Sequence, residues 1–321
     1  MQASYKKLQI PSHSPVKISL DDMLGLRNAA DTMIIRKMRA HAGVSGGYTS
    51  VFRGRGMEFE ETRPYVEGDD IRTLDWKVTA RTNKPHTKVY IEERERPIQV
   101  CVDLRANMFF ATKGVFKSVL VSQIAALIAW VSLRHRDRLG GLLFSDTHHD
   151  EIKPKSGRRA VFQYLRTLVS HQAWEHALGA EQQPHQETLN HALTRLRRVV
   201  RPGSLIFLLS DFRGLDKVGE AHLHELSRRN EIVLVFSYDD LEKQIPAAGV
   251  YNVTNGSREV VFNGYSKSSR ALYRERFNKH LAHIERIAAI KGIFLTSCTT
   301  DENPAEFLQL ALSQGIPLCR T

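Results

Sequence analysis

The sequence predicts an α/β fold with a mostly parallel sheet, helices on both faces, and a small β-rich module ahead of it. Three observations carry that expectation. With 321 residues and 42% hydrophobic content, the chain can bury a substantial core. From residue 97 onward, apolar runs of strand length alternate with stretches of helical period. Residues 204–211, SLIFLLSD, hold an unbroken run of large apolar side chains, as a strand buried on both faces requires.

The elements follow in order. Residues 1–20 read as a flexible lead-in, with Pro11 and Pro15 bracketing a polar stretch. From Asp21 to about His41 the spacing of Met23, Leu24, Leu26, Met33, Ile34 and Met38 predicts a helix, capped by Ser19 or Asp21. A glycine-rich break covers 43–56. Residues 57–96 form a dense polar block, expected to be β-rich, with Val89–Ile91 as one strand. Residues 21–96 therefore read as an N-terminal module and 97–321 as the α/β domain. In PIQVCVD, Ile98, Val100 and Val102 alternate as in a strand ending at Asp103. Helices are expected over 113–135, 157–169, 187–200, 217–229, 267–291 and 304–314. Strands are expected over 138–145, 148–153, 204–211, 232–236 and 293–297, with a hairpin over 250–263 turning at Asn255-Gly256.

Composition excludes several classes. Three cysteines over this length cannot build a disulfide scaffold and point to a reducing compartment. The apolar stretch 118–133 is too short and too interrupted to span a bilayer, and no signal sequence is evident, so a cytoplasmic protein without membrane insertion is expected. No phosphate-binding loop of the GxxxxGK[ST] type and no GxGxxG after a strand occurs, which argues against ATP hydrolysis and nicotinamide chemistry. Gly43-Val44-Ser45-Gly46-Gly47 matches a nucleophile elbow in letters, but a helical pattern precedes it where a strand is needed. His280 and His283 lack companions for a zinc pattern, and the adjacent His148 and His149 point to opposite faces of a strand. Forty-six Lys and Arg against 35 Asp and Glu give +11. The basic clusters Lys153, Lys155, Arg158, Arg159 and Arg195, Arg197, Arg198, Arg201 have no interleaved aromatics, so they suggest at most unspecific nucleic-acid contact.

The chemistry concentrates at strand ends. Asp103 and Asp211 each follow an apolar strand immediately. In a doubly wound sheet the first and fourth strands are neighbours where the order reverses, so both carboxylates would share one crevice. Like charges that close call for a cation between them, and a hard divalent ion with oxygen ligands suits the pair. The alternative is that each aspartate caps the helix that follows.

The segment Phe52-Arg53-Gly54-Arg55-Gly56-Met57-Glu58-Phe59, then Arg63-Pro64-Tyr65, Gly68-Asp69-Asp70, Arg72, Asp75-Trp76, Ala80-Arg81, Glu92-Glu93 and Asp103, resembles the signature of the bacterial family called domain of unknown function fifty-eight. The resemblance implies a von Willebrand factor A-like, Rossmann-type domain with an extra N-terminal module. It also implies association with a MoxR-type AAA+ ATPase, in assembling or remodelling a client protein, without catalysis by this chain. An adhesion-type metal site of that fold would place Mg²⁺ on Asp103, Asn107, Thr188 and Asp211. Arg105 stands where such a site has its first serine; it cannot ligate a cation and could instead neutralise an aspartate or bind a partner's carboxylate. Arg53, Arg55, Glu58, Arg63, Asp69, Asp70, Arg72, Asp75, Trp76 and Arg81 offer a partner-docking face. Their mixed signs favour instead an ion-pair network fixing the small module against the main sheet, with Trp76 and Tyr65 packed beneath. The rival function is a metal-dependent phosphoesterase or nuclease using the same aspartates, or a basic nucleic-acid binder without catalysis.

Overall fold

The structure is a computed structural model and describes residues 14–33, 57–92, 96–176, 188–254 and 259–313. The chain divides into two units, a large one of residues 1–38 with 96–320 and a small one of residues 39–95.

Chain order begins in the large unit with two short helices, α1 (Leu20–Gly25) and α2 (Arg27–Thr32). Ser19 and Asp22 form a reciprocal capping box at the start of α1. Met23, Leu26 and Ala30 are buried, Ile18 before them is buried too, and Phe116 N donates to Pro15 O at 2.8 Å. The lead-in expected through residue 20 is thus docked from Pro15 on; of the helix expected over 21–41, the described part is two short helices in the large unit, and residues 34–41 lie outside the described residues. Apolar side chains before the first cap are the physical reason.

The small unit pairs β1 (Met57–Pro64) antiparallel with β2 (His86–Glu92), and α3 (Trp76–Thr82) lies in the connection. Asp75 caps α3 by accepting from Lys77 N and Val78 N. Asp69 accepts from Arg63 Nη2 at 2.7 Å and from Val66 N.

The α/β region opens with β3 (Pro97–Asp103) and α4 (Lys117–Arg134). Next come β4 (Arg138–Phe144), β5 (His149–Lys155), α5 (Arg158–Val169) and α6 (Ala173–His176). They are followed by α7 (Leu189–Val199), β6 (Leu205–Ser210), α8 (Lys217–Ser227), β7 (Glu231–Tyr238) and α9 (Asp240–Lys243). The hairpin β8 (Val250–Thr254) and β9 (Glu259–Asn263) precedes α10 (Lys267–Ala288), β10 (Ile293–Thr299) and α11 (Pro304–Ser313). The expected turn at Asn255-Gly256 lies outside the described residues.

Six strands form one sheet in the order β10-β7-β6-β3-β4-β5, parallel except for β5. One apolar core gathers α1, α2, α4, α5 and α11 on one face, and a second gathers α7, α8 and α10 on the other. α4 is buried almost all round, because α2, α5 and α11 cover the side the sheet does not. Each large aliphatic side chain so buried contributes roughly 1.5–3 kcal/mol. In β4, Gly141 leaves room for the Tyr164 ring, whose hydroxyl donates to Val100 O at 3.1 Å; a Cβ at Gly141 would meet that ring at 2.8 Å. The order reverses between β3 and β6, so the first and fourth strands of the sheet are neighbours with their carboxyl ends side by side.

Candidate functional site

Asp103 ends β3, Asp211 follows β6, and Asp239 follows β7, so three carboxylates stand at the ends of three adjacent strands. Asp103 and Asp239 are fully buried and Asp211 nearly so. Each has a specific compensation. Arg105 Nε donates to both oxygens of Asp103, at 3.0 and 3.1 Å, and its Nη2 reaches Oδ2 at 2.6 Å. Ser210 Oγ donates to the same Oδ2 at 2.6 Å. The guanidinium extends to Asp211 Oδ1 at 3.8 Å and, through Nη1, to Arg213 O at 3.0 Å.

Lys117, in the first turn of α4, is completely buried. Its Nζ donates to Asp211 Oδ2 at 3.1 Å and Glu242 Oε1 at 2.9 Å. Arg213 adds its Nη2 to the same Glu242 oxygen at 2.8 Å and places Nε 3.7 Å from Asp211. Three carboxylates (Asp103, Asp211, Glu242) therefore interlock with three cations (Arg105, Lys117, Arg213). Burial pushes the Asp211 carboxyl up, but Lys117, Arg213 and Arg105 outweigh it and hold the group below its ordinary value. Burial likewise opposes the charge on Arg105, and Asp103 overcomes it and raises its pKa.

The backbone is bent to suit. Phe212 adopts a left-handed φ of 54°, a costly conformation for a bulky side chain, with its N–H on Ser210 Oγ. His280 Nε2 lies 2.8 Å from Asp211 O, and since a carbonyl only accepts, that nitrogen carries the proton. Asp239 is satisfied by neutral donors: Thr112 N and Oγ1, Thr300 Oγ1 and Leu241 N. Asp146 accepts from Ala106 N at 2.6 Å; burial raises its pKa, with Arg105 pulling the other way.

Asp103 and Asp211 do meet at the switch point, as their positions after β3 and β6 imply. Of the other two residues expected to bind Mg²⁺, Asn107 is exposed in a single 3-10 turn, and the Thr188 side chain makes no capping bond at the start of α7. A divalent ion does not fit this donor set. The lone pairs facing the crevice are taken by Arg105, Ser210 and Lys117, and the ion-paired charges already balance. No group of three or more His, Cys, Asp or Glu among the described residues is arranged to hold a metal.

Arg105 does not offer a free fork to a partner, because Asp103 occupies it bidentately and the side chain is only 8% exposed. The exposed cation of the cluster is Arg213, at 50%. Of the docking face on the small unit, Arg53 and Arg55 lie outside the described residues, and Glu58 is described only as part of β1. Asp70 caps a 3-10 turn through Arg72 N, and Asp75 also pairs with Lys88 at 3.8 Å. Arg81 is exposed in the last turn of α3. Trp76, expected to pack beneath, is 69% exposed, because α3 presents it outward from its first position.

Lys117, Glu242, Asp239, Ser210 and Arg213 escape the sequence reading. Asp239 carries the same signal as the other two aspartates, an acid directly after an apolar strand. Lys117 carries a subtler one: a cation in the first turn opposes the helix dipole and needs a carboxylate close by.

A family model described as Protein of unknown function DUF58 matches residues 61–286. Uncharacterized proteins of Mycobacterium bovis and Mycobacterium tuberculosis are 28% identical over 268 residues, covering 83% of this chain and 82% of theirs. The crystal structure of a conserved hypothetical protein BatB from Bacteroides thetaiotaomicron aligns with a TM-score of 0.41 and 11% identity, over 68% of this chain and 98% of that one.

Proposed function

We propose that this chain, which belongs to the DUF58 family, is a non-enzymatic interaction module whose switch-point cluster acts without a metal ion. The observation that supports this reading is the closed set of charges at the strand ends. Catalysis by a carboxylate needs a lone pair or proton turned toward a reactant, whereas Asp103 and Asp211 spend theirs on Arg105, Ser210 and Lys117. The cluster instead fixes the strand-end loops and leaves Arg213 half-exposed, held by Glu242 through Nη2 with the rest of its fork turned toward a partner's carboxylate. The partner in this reading is a MoxR-type AAA+ ATPase, on the resemblance carried by the segment 52–103, acting with this chain on a client protein.

The test is binding of a purified MoxR-type ATPase to the wild-type chain and to Arg213→Ala. Loss of about tenfold or more in affinity, measured at a temperature where circular dichroism shows the variant still folded, supports the reading. Undiminished binding of the variant contradicts the docking role of Arg213.

One observation favours a second reading. Arg201, Arg228, Arg229 and Lys291 are exposed on loops before β6, β7 and β10, at the amino ends of those strands and so at the opposite end of the sheet from the cluster. Those loops are tied together, Gly203 N to Arg229 O at 2.7 Å and Ile232 N to Gly292 O at 2.8 Å. They would make a phosphate-backbone contact. Steeply salt-dependent DNA or RNA binding, weakened by Arg228→Ala with Arg229→Ala, would support it; salt-independent binding or none would rule it out.

A further inference from the structure

The described sheet ends at β10, and the hydrogen-bond phase of that strand shows which of its groups are unused. Ile232 N donates to Gly292 O, and with Ile293 opposite Ile232 in parallel register the groups of Phe294, Thr296 and Cys298 face β7. Those of Leu295 and Ser297 face away from the sheet. Along this side runs a groove of about 510 Å³ between β10 and the following helix α11. Leu295, Phe307, Leu310 and Ala311 supply its apolar lining, and Leu310 is 59% exposed.

Its polar rim has one sign. Glu302 and Glu306 line the groove, Asp301 is exposed beside it, and among the described residues no basic one is in the lining. Partial burial raises the Glu302 pKa, and Asp301 and Asp240 raise it further. These acids stand on a chain of net charge +11, so the rim runs against the overall field.

We propose that the β10–α11 groove docks an extended segment of a partner protein in which basic residues flank apolar ones. The segment adds a strand to the open edge. Its backbone pairs with Leu295 and Ser297, its apolar side chains enter beside Leu310 and Phe307, and its cations meet Glu302 and Glu306. Solvent-exposed edges are ordinarily guarded by charges that repel pairing; here the acids instead select a cationic strand. The inference is independent of the role of the Asp103–Asp211 cluster.

The experiment is fluorescence anisotropy of a labelled short peptide of alternating lysine and valine, with its glutamate–valine twin, against the full chain. Two variants accompany it. Ser297→Pro removes an outward N–H that the sheet does not use, a position where an edge strand tolerates proline. Glu306→Lys reverses one exposed rim charge and carries the test if the proline variant unfolds. The expected result is saturable binding of the lysine peptide only, weakened about tenfold in each folded variant. Equal binding of both peptides, equal binding by the variants, or no binding overturns the proposal. If the lysine peptide binds only after residues 314–321 are removed, the occupant is the chain's own tail and the partner assignment falls.

Discussion

Replacing Lys117 by methionine keeps the length of the side chain and removes its charge from a fully buried site. Two ion pairs are lost, at 3.1 Å to Asp211 and 2.9 Å to Glu242. At an effective dielectric of about 20, each attracts by roughly 5 kcal/mol before desolvation. Removing the lysine also releases its own desolvation penalty, several kcal/mol, while leaving two carboxylates short of a partner. Arg213 and Arg105 still reach Asp211, at 3.7 and 3.8 Å, so the net loss is about 3–5 kcal/mol, near 10 °C in Tm for a domain of this size. The acid limb moves as well. In the wild type the Asp211 carboxyl is held below its ordinary value, so its contribution is complete above the normal carboxylate range and is lost as pH falls through the folded value. In Lys117→Met that loss begins at higher pH. Urea unfolding followed by circular dichroism reads the stability, and the double variant with Asp211→Asn should cost less than the sum of the singles by at least about 1.5 kcal/mol. A loss below about 1 kcal/mol, or simple additivity, would refute the view that Lys117 holds the cluster together.

Burial pushes the His171 imidazole down to about 4, so the unfolded chain binds the extra proton first and stability falls as pH drops from about 6.5 toward 4. A chemical-denaturation series across that range should show His171→Phe losing part of this slope; an unchanged slope contradicts the assignment. Burial raises the Cys101 thiol to about 12 and also raises Cys298, so both should resist alkylation until the chain unfolds. Mass spectrometry finding either labelled in the native state would count against their burial. Gly114 has φ of 71°, and a Cβ there would run into the Thr300 carbonyl, whose residue supports Asp239. Gly114→Ala should cost about 2 kcal/mol or more in a denaturant titration; a neutral result contradicts the close approach.

Much of the fold is legible because parallel strands buried on both faces read as unbroken apolar runs, as in residues 205–209. The meeting of Asp103 and Asp211 follows from the same pattern plus the reversal of strand order. What stays hidden is long-range. Lys117 and Glu242 are 125 positions apart, and although a lysine in the first turn of a helix calls for a carboxylate, nothing local says which one. Arg105 is visible as a residue that cannot ligate a metal, but its fork could point to Asp103, Asp211 or solvent until the chain turn at 104–106 is known. Trp76 shows the converse: a tryptophan suggests burial, yet the helix that carries it begins at that residue and presents it outward. Asn107 and Thr188 show the same limit, since neither residue's local pattern specifies its reach to the ends of β3 and β6.

The central claim is that the chain's own cations take the place of a metal at the switch point. Thermal unfolding of the wild-type chain in chelator, and then in excess Mg²⁺ or Mn²⁺, tests it most directly. The account predicts one Tm under all three conditions, with a cation-dependent rise appearing only in Lys117→Met, where Asp211 and Glu242 lose the lysine they share. A saturable rise of several degrees in the wild type, abolished by Asp103→Asn, would contradict it.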